Sequence, residues 1–379
     1  MSTMPFETTH RIVLADARNL EPVDDASVDL VVTSPPYPMI RMWDGVFCGM
    51  CPEIEWALEE HHGSRAFELM HRELDKVWKE LFRVMKPGRI VCVNIGDATR
   101  TVGGAFRRYP NHARITTSMA EAGFDCLPLI LWRKQTNAPN KFMGSGMLPA
   151  GAYVTLEHEY ILVFRKPGRR DHEAGGERNL RMQSAFFWEE RNRWFSDVWD
   201  FKGVPQSFAH KEFHRRSAAF PLELPCRLIS MYSLYGDTVL DPFAGTGTTL
   251  RAGIACGRHT IGVDINRGLV DFVEEHFEEF PADANTVLAR RIEDHGSFVQ
   301  RYTSEKGPLK YLNAPHGFPV VTKQETGLQL RCVNETERRG GGRIRVSYDT
   351  LGRIESDEDL RRTCSRLRAL NQEQTVLDL

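Results

Sequence analysis

A short segment of the chain, Thr-Ser-Pro-Pro-Tyr at positions 33 to 37, combines a hydroxyl, two prolines and an aromatic ring directly after an apolar run. Because Pro36 lacks a backbone N–H and biases Pro35 toward an extended conformation, the exit from the preceding strand is stiff and unpaired. Ser34 and the Pro35 carbonyl then offer hydrogen-bond acceptors beside the ring of Tyr37. An amino group on a flat ring needs such acceptors and a stacking surface, so the segment is a candidate catalytic site. A proline-rich strand end without chemistry is the alternative.

A glycine-rich turn, Asp-Pro-Phe-Ala-Gly-Thr-Gly-Thr-Thr at positions 241 to 249, lies between an apolar run and a helical pattern. Gly245 and Gly247 let the backbone pass close to a ligand, and the N–H groups of the following helix suit an anionic end. One strand later, Asp264 can accept hydrogen bonds from ribose hydroxyls. The pattern predicts a nucleotide-like cofactor; a tight strand–helix turn or a different nucleotide site is the alternative. No phosphate-cradling lysine follows the turn, which disfavours an unrelated nucleotide-binding α/β enzyme.

Short apolar runs that close at turn residues alternate with helical periodicity over most of the chain. We expect strands at Ile12–Ala15, Val28–Val32, Arg89–Asn94, Cys126–Arg133, Glu159–Arg165, Thr238–Asp241 and His259–Asp264. We expect helices at Ala66–Met85, His112–Ala122, Phe220–Tyr232 and Leu269–Phe280. Strands that alternate with helices predict an α/β fold with a doubly wound, mostly parallel sheet.

The two chemical segments together resemble the amino-group DNA methyltransferases, specifically the permuted beta class of the Thr-Ser-Pro-Pro-Tyr type. In that class the catalytic segment precedes the cofactor turn, and a target-recognition segment lies between them. The resemblance covers about residues 10 to 280. It implies a circularly permuted, Rossmann-like sheet of seven strands, S-adenosylmethionine as the cofactor and double-stranded DNA as the partner.

The resemblance also implies roles for individual residues. The catalytic positions are Ser34, Pro35, Pro36 and Tyr37. The cofactor-binding positions are Asp16, Phe220, Pro221, Asp241, Pro242, Phe243, Gly245, Gly247, Thr248 and Asp264. Among them, Asp16 would face the adenine amino group, Asp264 the ribose and Asp241 the amino-acid part, while Phe220 and Pro221 begin a segment that packs over the cofactor.

Serine in the first catalytic position is the family's usual mark of cytosine N4 methylation. Adenine N6 methylation stays open, and RNA methylation or an inactive DNA-binding module are further alternatives. Tyr37 would stack on a flipped base while Ser34 and the Pro35 carbonyl accept from its amine, which then attacks the sulfonium methyl in line. Neither a cysteine nucleophile nor a metal is required.

The segment 166–216 is rich in arginine, histidine and tryptophan and is the candidate target-recognition insert. Basic side chains neutralise phosphates, and arginine also reads guanine in the major groove. The candidate DNA-binding residues are Arg169, Arg170, Arg178, Arg181, Arg191, Arg193, Lys211, Arg215 and Arg216. A solvated face over a small aromatic core is the alternative.

Four regions follow: a catalytic half (10–165), the insert (166–216), a cofactor-binding half (217–295) and a C-terminal extension (296–379). The formal net charge of −2 and 26% charged residues are ordinary for a globular protein, and a local basic face remains compatible with them. Eight scattered cysteines favour a reducing cytoplasm, and the polar start gives no sign of a signal peptide. The family resemblance implies a prokaryotic, nucleoid-associated protein. A monomer or homodimer is expected, and the resemblance leaves two contexts open: pairing with a cognate restriction endonuclease, or an epigenetic role without one. Cys48 and Cys51 lack a second metal-binding pair, so ordinary reduced cysteines are favoured over zinc.

Overall fold

The structure is a computed structural model that describes residues 6–134, 143–172, 176–203 and 220–376. Its strands are β1 (Phe6–Leu14), β2 (Val28–Thr33), β3 (Met85–Ile95), β4 (Ala98–Val102), β5 (Ala105–Tyr109), β6 (Asp125–Cys126), β7 (Ile130–Arg133), β8 (Met143–Gly144), β9 (Ala152–Tyr153), β10 (His158–Arg165), β11 (Val198–Asp200), β12 (Thr238–Asp241), β13 (His259–Asp264), β14 (Tyr311–Leu312), β15 (Pro319–Val320), β16 (Arg331–Arg339) and β17 (Arg343–Thr350). Its α-helices are α1 (Asp44–Met50), α2 (Glu53–Glu59), α3 (Gly63–Val84), α4 (Asn111–Glu121), α5 (Glu177–Gln183), α6 (Trp188–Trp194), α7 (Glu223–Tyr232), α8 (Thr248–Ala255), α9 (Arg267–Glu275), α10 (Ala282–Lys306) and α11 (Asp357–Val376). Short 3-10 helices occupy Arg41–Trp43, Phe277–Glu279 and Lys323–Glu325.

The main sheet has the strand order β11-β7-β10-β3-β2-β12-β13-β1-β17-β16, and β6 also pairs with β10. Its central strands β3, β2, β12, β13 and β1 run parallel, and β10 runs antiparallel beside β3. The predicted doubly wound, mostly parallel sheet is therefore confirmed. Seven strands from β7 to β1 form the expected array, and β6, β11, β16 and β17 widen the sheet to eleven strands.

Both faces of the sheet are covered, because alternate side chains of the central strands enter different cores. In β2, Val31 packs in a cluster with Trp78 of α3, whereas Leu30 and Val32 pack in a cluster with Leu228 of α7. Every residue of β2 is buried, as a central parallel strand requires. Each fully buried large apolar side chain contributes about 1.5–3 kcal/mol relative to an exposed one.

One predicted strand is divided in two. The expected strand Cys126–Arg133 is replaced by β6 and β7, each of which pairs with β10. Pro128 lies between them and has no N–H to donate to a ladder, which explains the interruption.

The predicted boundary at residue 296 is wrong, since it falls inside the continuous helix α10. The region beyond it is also part of the main sheet. Strand β17 pairs antiparallel with β1, with Ile344 opposite His10. The expected extension therefore completes one side of the sheet.

The described part of the predicted insert packs against this same C-terminal region. The Phe187 ring stacks on the His295 ring of α10 with centroids 3.8 Å apart, and Glu190 accepts from Arg291 at 2.5 and 2.8 Å. Helix α6 thus packs against α10. None of the described helices has the length and apolarity needed to cross a membrane.

Candidate active site

The predicted chemical segments meet at one edge of the sheet. In the parallel register Val31 of β2 lies opposite Leu240 of β12, and Leu14 of β1 lies opposite Asp264 of β13. The carboxyl ends of these strands therefore point the same way, and in open α/β sheets ligands bind at that edge. The amino end of the antiparallel strand β10 brings Glu159 to the same place.

Asp241 joins the catalytic segment to the glycine turn. Its carboxylate accepts hydrogen bonds from the hydroxyls of Thr33 and Thr249, both at 2.6 Å, and from the Phe243 N–H at 3.1 Å. The residue is only 2% exposed, and burial raises its pKa to about 6. Both carboxylate oxygens are occupied by protein donors, so in this structure Asp241 fixes the two segments relative to each other.

The two glycines of the turn are required for different reasons. Both adopt positive φ, 53° at Gly245 and 82° at Gly247. A Cβ on Gly247 would lie 2.7 Å from a ring carbon of Phe280, so this glycine serves packing. A Cβ on Gly245 would meet only the Phe243 carbonyl oxygen, at 4.0 Å, so Gly245 borders open space. The backbone of Gly245 is therefore open to a ligand beside the start of α8.

Two of the predicted cofactor-binding aspartates lie at this edge, since Asp264 ends β13 and Asp16 follows the neighbouring strand β1. Asp264 accepts hydrogen bonds from the N–H groups of Gly245 and Asn266 at 2.9 and 2.8 Å, and burial raises its pKa. Partial burial acts to raise the pKa of Asp16, but the hydrogen bonds from Arg18, at 2.6 Å for the shortest, outweigh it and the pKa is lowered. Asp16 is therefore held as an anion by Arg18.

The remaining predicted cofactor residues lie in the turn or at the start of α7. Phe220 is buried in the α7 cluster with Leu224, and the Pro221 carbonyl just before α7 accepts from the Leu224 N–H at 3.0 Å. Pro242 is buried and Phe243 packs on the α3 side of the sheet. Thr248 is half-buried at the first position of α8.

The catalytic segment lies in a hydrogen-bond network that the sequence did not reveal. The Ser34 hydroxyl donates to the Tyr37 hydroxyl at 3.2 Å, which donates to Glu159 at 3.1 Å. Asn94 Nδ2 donates to both Tyr37 and Glu159, at 2.9 and 2.8 Å. Lys134 donates to the other Glu159 oxygen at 2.9 Å.

This environment keeps the phenol of Tyr37 neutral. Tyr37 is 8% exposed, and burial, followed by the nearby charge of Glu159, raises its pKa well above the usual value. Sequence alone indicates only that Glu159 begins an expected strand. Its position beside Tyr37 depends on β10 being antiparallel, which no local pattern encodes.

The candidate DNA-binding arginines divide into two groups. Arg170 bonds to Glu177 and Asp237, at 2.6 Å for the shortest contact with each, and its side chain is 10% exposed. The prediction that Arg170 binds DNA is therefore corrected, because internal carboxylates hold its guanidinium. Exposed positions are occupied by Arg169, Arg178, Arg181, Arg191 and Arg193. Of these, Arg193 lies 3.7 Å from Asp294 and Arg191 lies over the Phe195 ring. Lys211, Arg215 and Arg216 lie outside the described residues.

The described ranges contain no group of three or more histidine, cysteine or acidic side chains able to hold a metal ion. Cys48 and Cys51 are free thiols, both half-buried.

A family model described as DNA methylase, for N6- and N4-specific enzymes, matches residues 28–275, well over half of the chain. This chain belongs to the N6/N4 DNA methylase family. The matched range includes both the catalytic segment and the glycine turn, so both lie within the family's own domain.

Two relatives and one solved structure resemble this methylase over most of their lengths. The Type II methyltransferase M.MthZI of Methanothermobacter thermautotrophicus is 49% identical over 327 residues, which cover 86% of this chain and 91% of that protein. The Type II methyltransferase M.MjaI of Methanocaldococcus jannaschii is 47% identical, over 73% of this chain and 93% of its own. The DNA modification methylase candidate TTHA0409 of Thermus thermophilus, solved with S-adenosyl-L-methionine, is 34% identical with a TM-score of 0.56, over 72% of this chain and 94% of its own.

Proposed function

We propose that this DNA methylase transfers a methyl group from S-adenosylmethionine to the N4 amino group of cytosine in double-stranded DNA. The observation that carries the proposal is the Ser34 hydroxyl, which opens the catalytic segment and lies 3.2 Å from the Tyr37 hydroxyl. A serine at this position is typical of the cytosine N4 enzymes in the family. The order of the segments, with catalysis before the glycine turn, supports the circularly permuted class.

Different residues of the site bind the cofactor and the target base. S-adenosylmethionine supplies an activated methyl group on sulfur. The open space beside Gly245, with Asp264 and Asp16 at the same edge of the sheet, fits the cofactor, and the solved methylase that binds S-adenosyl-L-methionine supports this role. The target base must leave the duplex, at a cost of a few kcal/mol, before Ser34 and the Pro35 carbonyl can accept from its amine.

Recognition of DNA falls to the exposed arginines of the insert, led by Arg169, Arg178 and Arg181. The two relatives named as Type II methyltransferases support a restriction–modification context, in which a separate endonuclease acts on the same DNA site. Adenine N6 methylation is the second candidate function, since the matched family includes both specificities.

The deciding experiment is methyl transfer from labelled S-adenosylmethionine to genomic DNA, followed by digestion to nucleosides and mass identification. We expect N4-methylcytosine. N6-methyladenine would leave the methylase and its site in place but refute the specificity inferred from Ser34. Label on RNA alone would refute DNA as the target.

A further inference from the structure

We propose that Glu159 is the terminal proton acceptor of a hydrogen-bond chain that begins at Ser34 and passes through Tyr37. The inference rests on the proposed function and deepens it, because it assigns the destination of the proton that an amine must lose when it is methylated. Glu159 acts through Tyr37 and Ser34 and does not itself contact the base.

The reaction leaves a proton that the site must remove. The amine nitrogen gains a bond to the methyl carbon as the bond from that carbon to sulfur breaks, and the sulfur keeps the bonding pair. The nitrogen then carries a positive charge and one proton too many. Ser34 can take that proton only if its own hydroxyl proton moves on, because a protonated serine hydroxyl is a far stronger acid than the amine.

The hydrogen bonds of the site run in one direction along such a path. Ser34 Oγ donates to Tyr37 Oη at 3.2 Å, and Tyr37 Oη donates to Glu159 Oε2 at 3.1 Å. When the amine proton enters at Ser34, the original hydroxyl proton of Ser34 moves to Tyr37. The original hydroxyl proton of Tyr37 then moves to the Glu159 carboxylate. The positive charge on nitrogen and the negative charge on Glu159 cancel, and both hydroxyls are restored.

The surroundings hold this chain in place. Asn94 Nδ2 donates to both Tyr37 Oη and Glu159 Oε2, which fixes the two oxygens relative to each other. Gly96 permits the contact, since a Cβ there would lie 3.1 Å from a Tyr37 ring carbon and 3.4 Å from Glu159 Cγ. The absence of a side chain at Gly96 therefore lets the Tyr37 phenol approach the Glu159 carboxylate.

The far end of the chain reaches solvent. Lys134 Nζ lies 2.9 Å from Glu159 Oε1, and the side chains of Lys134 and Glu159 are 42% and 15% exposed. A proton delivered to Glu159 therefore has a route to water, while the Tyr37 side chain before it in the chain is buried. The other titratable groups next to Glu159 on its strand, His158 and Tyr160, contact each other edge to face with 4.9 Å between ring centroids.

The test is a single-turnover measurement of methyl transfer at saturating DNA and S-adenosylmethionine, with Glu159→Gln against wild type. Glutamine keeps the shape and one acceptor oxygen but cannot take the proton. We expect the transfer rate to fall by about 100-fold or more, as for loss of a general base, with both dissociation constants unchanged within about twofold. Glu157→Gln, the same change at an exposed carboxylate two residues away, should leave the rate unchanged.

A second variant separates proton transfer from positioning. In Glu159→Gly, added formate should restore part of the rate, because a small carboxylate can occupy the vacated space and accept the proton from Tyr37. In Tyr37→Phe, which breaks the chain before Glu159, formate should restore nothing.

A wild-type rate in Glu159→Gln, or a slow Glu159→Gly that formate cannot restore, would overturn the proton assignment while leaving the methylase function intact. Absence of DNA methylation by the wild-type protein would instead overturn the proposed function itself.

Discussion

The Thr33 hydroxyl donates a 2.6 Å hydrogen bond to the buried carboxylate of Asp241, which joins the end of the catalytic strand to the start of the glycine turn. Because Asp241 is 2% exposed, a lost donor is not replaced by water. Thr33→Val should therefore lower the free energy of unfolding by about 1–3 kcal/mol. Denaturant unfolding measures the change.

The matched control is Thr117→Val, since Thr117 is exposed and its hydroxyl donates to the Ala113 carbonyl one turn back in the same helix. The same substitution there should change stability by less than about 0.5 kcal/mol. Equal effects at the two positions would mean that the Thr33–Asp241 contact contributes nothing specific.

The raised pKa of Asp241 predicts a pH dependence of stability. Burial raises the pKa from 3.8 to about 6, so the folded state holds the proton more tightly than the unfolded state. This contribution is fully present below the unfolded value and is lost as pH rises through about 6. Raising the pH from about 5 to about 7.5 should therefore lower the free energy of unfolding of the wild type by about 1–1.5 kcal/mol.

Asp241→Asn removes the titrating group and so isolates this effect. As pH rises, the free energy of unfolding of the wild type should fall relative to that of the variant. A difference that stays constant across this range would show that Asp241 does not titrate there.

Alanine substitutions at the two glycines of the turn should have different effects, one on stability and one on cofactor affinity. Gly247→Ala places a methyl 2.7 Å from the Phe280 ring, so it should lower stability by about 1–3 kcal/mol. Gly245→Ala meets only open space, so its fold cost should be limited to the strain of positive φ, about 1 kcal/mol. Its methyl should instead reduce affinity for S-adenosylmethionine, measured by calorimetry. Full cofactor affinity in Gly245→Ala would place the cofactor elsewhere.

Ser34→Ala should separate catalysis from cofactor binding. The variant loses the acceptor proposed for the amine, so methyl transfer should fall by about 100-fold or more. Affinity for S-adenosylmethionine should stay within about twofold, because the open space at Gly245 lies in a separate segment. A parallel loss of cofactor binding would contradict the assignment of Ser34 to the base.

Alanine substitutions at Arg181 and Arg170 should have different effects, the first on DNA binding and the second on stability. Arg181→Ala removes an exposed charge and should weaken DNA binding, with the slope of log affinity against log salt reduced by about one. Arg170→Ala breaks its pair with Asp237, which is itself nearly buried, and should cost about 3–5 kcal/mol of stability. Titrations of DNA at several salt concentrations, with thermal unfolding alongside, measure both. An unchanged salt slope in Arg181→Ala would remove this arginine from the DNA interface.

The parts of the site that could be predicted from sequence are those in which local chemistry and local structure coincide. Ser34 and Tyr37 follow a buried strand within a few residues, and Gly245 lies between a strand and a helix. Their meeting at one edge follows from the parallel sheet alone.

The parts that could not be predicted depend on partners distant in the chain. Glu159 reaches Tyr37 only because β10 is antiparallel, and Arg18 is recognisable only by its contact with Asp16. The packing of the insert could not be predicted for a similar reason. Charge dominates its composition, whereas Phe187 and Glu190 are used to dock it on α10.

The position of β1 in the sheet has a consequence for biosynthesis. Its two neighbours are β13 and β17, and the contact of His10 with Thr260 alone spans 250 positions. Closing so long a loop is slow, and β1 can pair only after β13 and β17 have been translated. The edge that carries Asp16 is therefore assembled only after the glycine turn and Asp264 have been translated, so a nascent chain holds its catalytic segment without a completed cofactor site.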